Sequence, residues 1–146
     1  MRKLILIIAS LFLLNVSHTF GQETQTSLDY VASGIYLVFT DKAGVEEARK
    51  PMGKNVSISY DKFFKSYTII YTDENGYATP LSLKYINDEN YIKNVKTTKM
   101  DDKFGNIYYV TDMLEQIGLL KILMSKEYPG GRNAWFVIEE AKETVQ

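Results

Sequence analysis

Histidine and cysteine are nearly missing from this 146-residue chain, which contains no cysteine and a single histidine, His18. Ser-His-Asp and Cys-His nucleophile systems and histidine general bases all need these residue types. Zinc, copper and haem sites use them as ligands. Since His18 lies in a segment that we expect to be cleaved off, only carboxylate chemistry, oxygen-ligated calcium, and serine or tyrosine paired with lysine remain. We therefore predict no catalytic residue, no metal ligand and no cofactor.

Acidic residues are the main remaining candidates for chemistry, and they occur as sequence neighbours. The pairs are Glu46-Glu47, Asp73-Glu74, Asp88-Glu89, Asp101-Asp102 and Glu139-Glu140. A glycosidase-type site needs two carboxylates facing each other across about 5–10 Å, one of them in apolar surroundings that raise its pKa. Neighbours within a turn do not have this geometry, and turns select acidic residues for local hydrogen bonds and solubility. Asp73-x-Asn75-Gly76 matches the start of a calcium loop but lacks the remaining ligands.

Tyrosine is the most informative residue type, because all 11 tyrosines follow residue 21 and several fall in predicted strands. A tyrosine combines a large apolar ring with one polar tip, which suits sugar rings and amphiphilic ligands. The alternative is that tyrosine is simply a good strand former. The sole tryptophan sits among Phe136, Val137 and Ile138 and also fits a core position. The candidate ligand-binding residues are Tyr60, Tyr67, Tyr71, Tyr85 and Trp135.

Strands must position these side chains, since apolar and polar residues alternate with a period of two along much of the chain. Residues 55–60 and 66–72 show the pattern most clearly, and the Asn75-Gly76 dipeptide predicts a tight hairpin after the second of them. Pro80 predicts a sheet edge, a bulge or a late strand start. Six further strands are predicted at residues 34–40, 77–86, 91–97, 106–110, 119–125 and 133–140.

Two short helices are predicted between the strands. Residues 44–50 place acids early and bases late, as the helix dipole favours, and Pro51 prevents continuation. Residues 112–118 begin with Asp112 as a cap, have Glu115 three positions later, and end at Gly118. The alternative for this region is one long bent strand from residue 108 to 124.

About eight strands with short connections predict a mainly β fold, an antiparallel meander that forms a small barrel or a sandwich. In strand number and length the chain is similar to the small barrels of the lipocalin and fatty-acid-binding type. Those families tend to carry Gly-x-Trp near the first strand, whereas this chain has Gly34-Ile35-Tyr36 there. The resemblance therefore implies a barrel that is packed solid or holds one small ligand, and transfers no residue role.

The N-terminus predicts export. Arg2 and Lys3 precede an apolar run at residues 4–14, and short residues before Gln22 suit a signal peptidase. The alternative, an uncleaved anchor, needs about 20 apolar residues. We expect a signal peptide at residues 1–21, a flexible segment at 22–32 and a single β-rich domain at 33–146. Cleavage leaves 15 basic and 18 acidic residues, a net charge of −3, which does not favour nucleic acid or an anionic membrane.

Three functions remain for such a secreted or periplasmic domain. The first is non-enzymatic binding of a small apolar or sugar-like ligand, in the barrel interior or on a tyrosine-rich face. The second is a structural or interaction module that docks on another exported protein. The third and least favoured is a carboxylate-dependent hydrolase. We expect no nucleic-acid partner and no stable membrane insertion.

Overall fold

The computed structural model of the protein describes residues 26–145, which contain nine β-strands. The strands are β1 (Ser27–Thr40), β2 (Glu46–Asp61), β3 (Ser66–Asp73), β4 (Ala78–Asp88), β5 (Thr98–Asp101), β6 (Ile107–Met113), β7 (Leu119–Met124), β8 (Asn133–Ile138) and β9 (Lys142–Glu143). A short helix, α1 (Leu114–Ile117), joins β6 to β7, and a single 3-10 turn (Pro129–Gly131) precedes β8. Within this part of the chain, no helix is long and apolar enough to cross a membrane.

Strand β1 closes the sheet into a barrel. It pairs antiparallel with β2 on one side and with β8 and β9 on the other. From β2 to β8, every strand pairs antiparallel with the next one along the chain. Eight strands thus form a closed up-and-down barrel, with β9 added beside the first part of β1. The predicted antiparallel meander of about eight strands is confirmed, and it closes as a barrel rather than a sandwich.

The barrel interior is a packed core. Its buried side chains come from all eight barrel strands, and the fully buried ones include Ile35, Ile58, Ile69, Leu83, Met100, Leu120, Ile122 and Ile138. Half-buried side chains such as Met52 and Phe136 pack against this cluster. Eight-stranded barrels are just wide enough for side chains to fill them. Hydrophobic burial in the interior therefore stabilises the fold without any disulfide.

A second apolar cluster lies on the outer face of the barrel. It contains Val38, Tyr109, Leu123, Trp135 and Val137, all buried, which come from β1, β6, β7 and β8. The loop of residues 89–97 between β4 and β5 covers part of it and contributes Ile92. The part of the barrel wall that β6, β7, β8 and β1 form is therefore apolar on both faces. This is unusual for an antiparallel sheet with one face toward water.

The predicted strand at residues 91–97 is wrong, because this segment is the covering loop. Asn94 has φ 66°, which a regular strand does not allow. The ring of Tyr91 stacks on that of Tyr109 with 4.0 Å between ring centroids. Aromatic and β-branched residues of this loop pack against the outer face of the sheet. The loop therefore has the amino-acid composition of a strand.

Two further predictions are wrong. Residues 46–50 of the predicted helix at 44–50 begin β2 and pair with residues of β1, for example Lys50 with Leu37. Hydrogen bonding along β1 outweighs the weak preference that a charge gradient gives to a helix.

Residues 27–32, which were predicted to belong to the flexible segment at 22–32, lie in β1 and pair with β2 from Ser27↔Asp61 onward. The predicted signal peptide at residues 1–21 lies outside the described residues.

A helix is present where one was predicted at residues 112–118, but it covers only Leu114–Ile117, and its N-cap is Met113 rather than Asp112, which belongs to β6. Gly118, with φ 66°, ends it in the left-handed conformation. Asp112 Oδ1 accepts a hydrogen bond from the backbone N–H of Leu114 over 2.9 Å. Pro80 pairs with Ile70 of β3, and β5 pairs with β4 only from Lys84 onward. The proline therefore lies at a local sheet edge, as its missing N–H predicts.

Candidate functional site

Two concave sites lie near the candidate residues, one outside the barrel and one at its end. The first, here called the outer groove, has a floor of Val38, Met113, Leu119, Trp135 and Val137. Its volume is about 520 Å³. Pockets for small molecules typically span about 300–1,000 Å³ and are mostly apolar with a few polar groups.

Trp135 forms part of the groove floor and is held in a fixed position. Its indole N–H donates a hydrogen bond of 3.0 Å to Thr40 Oγ1, and both residues are buried. Cross-strand pairing of β8 with β1 sets Trp135 opposite Val38. Because the indole N–H is satisfied within the protein, the rest of the ring offers an apolar surface to the groove.

The loop of residues 89–97 forms one wall of the groove through Ile92 and Val95. Thr97, which is 1% exposed, fastens this loop. Its hydroxyl donates to the carbonyl oxygen of Glu89 and accepts from the backbone N–H of Tyr91 over 3.0 Å. These bonds hold the two ends of the loop together, which limits the conformational entropy that the loop loses when a ligand binds.

Charged side chains form the rim of the groove. Arg49 binds Glu46 over 2.8 Å and Glu139 over 2.9 Å, and its guanidinium lies 5.1 Å from the ring centroid of Tyr36. The hydrogen bond from Arg49 lowers the pKa of Glu46, so this carboxyl is ionised at neutral pH. An ionised carboxylate bound to arginine is not a proton donor, so Glu46 is not suited to be the general acid of glycoside hydrolysis.

Lys121 completes the rim from the outer side of β7. It is exposed, and within residues 26–145 it makes no ion pair. Its ammonium group is therefore available to the polar end of a ligand lying on the apolar floor.

The second site is at the end of the barrel where β1 begins and β6 ends; we call it the mouth. It is a cavity of about 150 Å³ lined by Leu28, Tyr30, Tyr60, Asp112, Glu115 and Gln116. The rings of Tyr60 and Tyr67, which are cross-strand partners, lie 4.7 Å apart between centroids. The Tyr67 hydroxyl donates to the Asp112 carboxylate. Burial, with the Asp112 charge as second cause, raises the pKa of Tyr67 far above its usual range.

The five predicted site residues do not share one surface. Tyr60 and Tyr67 meet at the mouth, and Tyr71 packs its ring over Gly53 in the interior. Tyr85 is half-buried beneath the ammonium group of Lys65, 4.7 Å from its ring centroid. Trp135 lies on the outer face, in the groove. Alternation correctly placed these five residues in strands but did not distinguish the inner from the outer face.

Several residues of both sites were missed by the sequence reasoning. Asp112 was interpreted only as a helix cap, and Tyr30 fell in the segment predicted to be flexible. The groove residues Val38, Ile92 and Arg49 carried no signal, because each comes from a different element and they meet only after the barrel closes. A usable signal existed for Tyr30, since Leu28, Tyr30 and Ala32 alternate with the polar residues Asp29 and Ser33, with Val31 as the one interruption.

Metal binding finds no support in the described part of the chain, where no three acidic or other ligating side chains come together. All buried side-chain polar atoms of residues 26–145 have a hydrogen-bond partner. The chain matches no protein-family model, no curated protein and no solved structure, so these residues stand without a comparison.

Proposed function

We propose that this protein is an exported, non-enzymatic binding domain, and that its ligand is a small apolar or sugar-like molecule held in the outer groove. The observation that carries the proposal is the apolar floor around Trp135, ringed by charged side chains in a space of about 520 Å³. Such a site fits a ligand with an apolar body and one polar end, placed near Lys121.

The packed interior favours the groove over the inside of the barrel as the binding place. Tyr67 and Tyr71, which were candidates for a cavity lining, are buried in the interior cluster. A ligand inside the barrel would displace core side chains such as Ile58 and Ile69, which are almost fully buried. Displacing a core side chain costs on the order of 2–5 kcal/mol, which binding in the interior would have to offset and binding in the open groove would not.

Trp135 is the only tryptophan of the chain, so its fluorescence reports on the groove alone. We expect alkyl-chain amphiphiles or glycans from a test panel to change this fluorescence and to raise the melting temperature. Native mass spectrometry of the same mixtures gives the stoichiometry, which we expect to be one ligand per chain.

The matched variants are Ile92→Asp and Ile70→Asp. Ile92 lies in the groove wall, whereas Ile70 is an exposed isoleucine of β3 outside it. A charge in the wall should weaken binding of an apolar ligand by at least about tenfold, which corresponds to ~1.4 kcal/mol. Equal loss in both folded variants, or a panel without any response, would overturn the proposal.

A second candidate is an interaction module of the cell envelope or secretome. Phe63 and Phe64, in the β2–β3 turn, are 79% and 69% exposed and contact each other edge to face. Exposed aromatic pairs of this kind are enriched in protein interfaces. Co-purification of an exported protein with the full chain, abolished in Phe63→Ser/Phe64→Ser, would support this function. Elution of the protein alone as a compact monomer counts against it.

A further inference from the structure

We propose that the mouth of the barrel binds an organic ammonium group between Tyr30, Tyr60 and Asp112. This site is separate from the outer groove, and the inference does not depend on the proposed function of the groove. The geometry that carries it is a small cavity with aromatic walls, a fixed carboxylate and a tyrosine hydroxyl that opens into the cavity without a protein partner.

Tyr30 supplies the unpartnered group. Its side chain is 3% exposed and lines the cavity, and its hydroxyl makes no hydrogen bond to any of residues 26–145. Because all buried side-chain polar atoms of residues 26–145 are hydrogen-bonded, this unbonded oxygen is the part of Tyr30 that is accessible from the cavity. A ligand in the cavity can therefore contact this oxygen directly, and its partial negative charge favours a positively charged ligand.

Asp112 supplies the fixed negative charge. One of its oxygens accepts the Tyr67 hydroxyl, and the other accepts the backbone N–H of Leu114 over 2.9 Å. These two bonds hold the carboxylate at the edge of the cavity before any ligand arrives. Pre-organised charge of this kind lowers the cost of binding.

Several carboxylates act on the two tyrosines of the mouth. Burial is the largest cause that raises the pKa of Tyr30 and Tyr60, and every charged group that adds to this effect is a carboxylate. For Tyr30 these are Glu115, Glu143 and Asp112. A negative potential over aromatic faces attracts a cation through both its charge and the ring quadrupoles.

Size and ligand type favour an organic cation over a metal ion. In the part of the chain that the structure describes, no three ligating side chains come close enough to hold a metal. The cavity of about 150 Å³ is smaller than the roughly 300 Å³ at which pockets for whole drug-sized molecules begin. It therefore fits an ammonium head group, the rest of the molecule extending into solvent.

Isothermal titration calorimetry and NMR titration of the purified protein test this with choline chloride, at constant ionic strength. We expect choline to bind with a dissociation constant on the order of millimolar and to shift the resonances of Tyr30 and Tyr60. The neutral isostere 3,3-dimethylbutan-1-ol should bind at least about tenfold more weakly. Butylammonium, compared with choline, shows whether the site prefers an N–H donor or a quaternary group.

Three variants separate the site from the fold. Asp112→Asn keeps an acceptor for Tyr67 and should weaken choline binding by about tenfold or more. Glu115→Gln, in the exposed first turn of α1, gives a smaller loss and serves if Asp112→Asn does not fold. Asp101→Asn, in β5 near the opposite end of the barrel, is the control and should bind choline normally.

The proposal is wrong if choline does not bind at about 10 mM, or if the neutral isostere binds equally well. It is also wrong if neither Asp112→Asn nor Glu115→Gln changes the affinity in a protein with wild-type circular dichroism. Ile92→Asp should bind choline normally, so a failure at the mouth and a failure in the outer groove are distinguishable.

Discussion

Tyrosine hydroxyls bind carboxylates at both ends of the barrel. Tyr67 donates to Asp112 at the mouth, and Tyr108 donates to Asp102 over 3.0 Å at the opposite end. Burial and then the bonded carboxylate raise the pKa of Tyr108 to about 12, and burial raises that of Tyr67 further. Both side chains thus keep their protons at pH values where an unfolded chain has lost them.

A loss of stability at alkaline pH follows from these two tyrosines. The contribution of Tyr108 is fully present below about pH 10, where tyrosine ionises in an unfolded chain, and it is lost as the pH rises through about 12. The contribution of Tyr67 is lost at still higher pH, because its pKa is raised further. Above pH ~10 each one lowers the free energy of unfolding by up to about 1.4 kcal/mol per pH unit. Urea denaturation at a series of pH values measures this slope. The double variant Tyr67→Phe/Tyr108→Phe should show a shallower fall, and an unchanged slope would contradict the assignment.

Three turns at the end of the barrel opposite the mouth share one construction. Each begins with an aspartate whose carboxylate accepts the backbone N–H groups two and four residues later. Each has a glycine at the fourth position with φ between 81° and 85°. The turns start at Asp41, Asp73 and Asp102. The motif Asp-x-x-Gly therefore fixes the hairpin geometry of β1–β2, β3–β4 and β5–β6.

Substitutions in the β3–β4 turn measure the value of this motif. Asp73→Ala removes the acceptor of two backbone bonds, and Gly76→Ala places a side chain at φ 83°. We expect each to lower the free energy of unfolding by roughly 1 kcal/mol, measured by urea denaturation. Glu74→Ala, an exposed residue of the same turn, is the control and should change it by less than about 0.5 kcal/mol. Equal effects of all three would show that the motif is not what fixes the turn.

Alternation predicted most strands because burial on one face leaves a period-two record in the sequence. The strands at residues 66–72 and 119–125 match β3 and β7 within about a residue at each end. Residues 46–50 of β2 are exposed on both faces and left no such record. The side-chain alternation of β1 breaks between Ala32 and Ile35, which both contact the interior cluster. This break turns Val38 outward into the groove, and only the closed structure reveals it.

At the scale of the whole molecule, β1 is the element on which closure depends. The second half of this strand pairs with β2 on one side and with β8 on the other, and Ile35 is fully buried. Only two residues of β9 pair with its first half. The two candidate sites also depend on the closed barrel, because each combines side chains from three or more elements. Sequence reasoning predicted Tyr60 and Trp135 as candidates. It gave no basis for placing Asp112 beside Tyr60, or Arg49 near Trp135.

Amide hydrogen exchange measured by NMR tests the role of β1. We expect the slowest exchange at residues 36–40, where both edges of the strand are hydrogen-bonded, at rates set by global unfolding. Residues 142–143 of β9 should exchange by local opening, faster by several orders of magnitude. Uniform protection of β9 and the second half of β1 would contradict this order.

The repeated turn also provides positions where a label can be inserted at one end of the barrel. The β3–β4 and β5–β6 turns lie at the end of the barrel opposite the mouth, and neither turn contributes a residue to the lining of the mouth or of the groove. Their central residues, such as Glu74 and Lys103, are exposed, and exposed turn tips tolerate insertion. A fluorophore, an affinity tag or a surface linker inserted there leaves both candidate sites facing the solution.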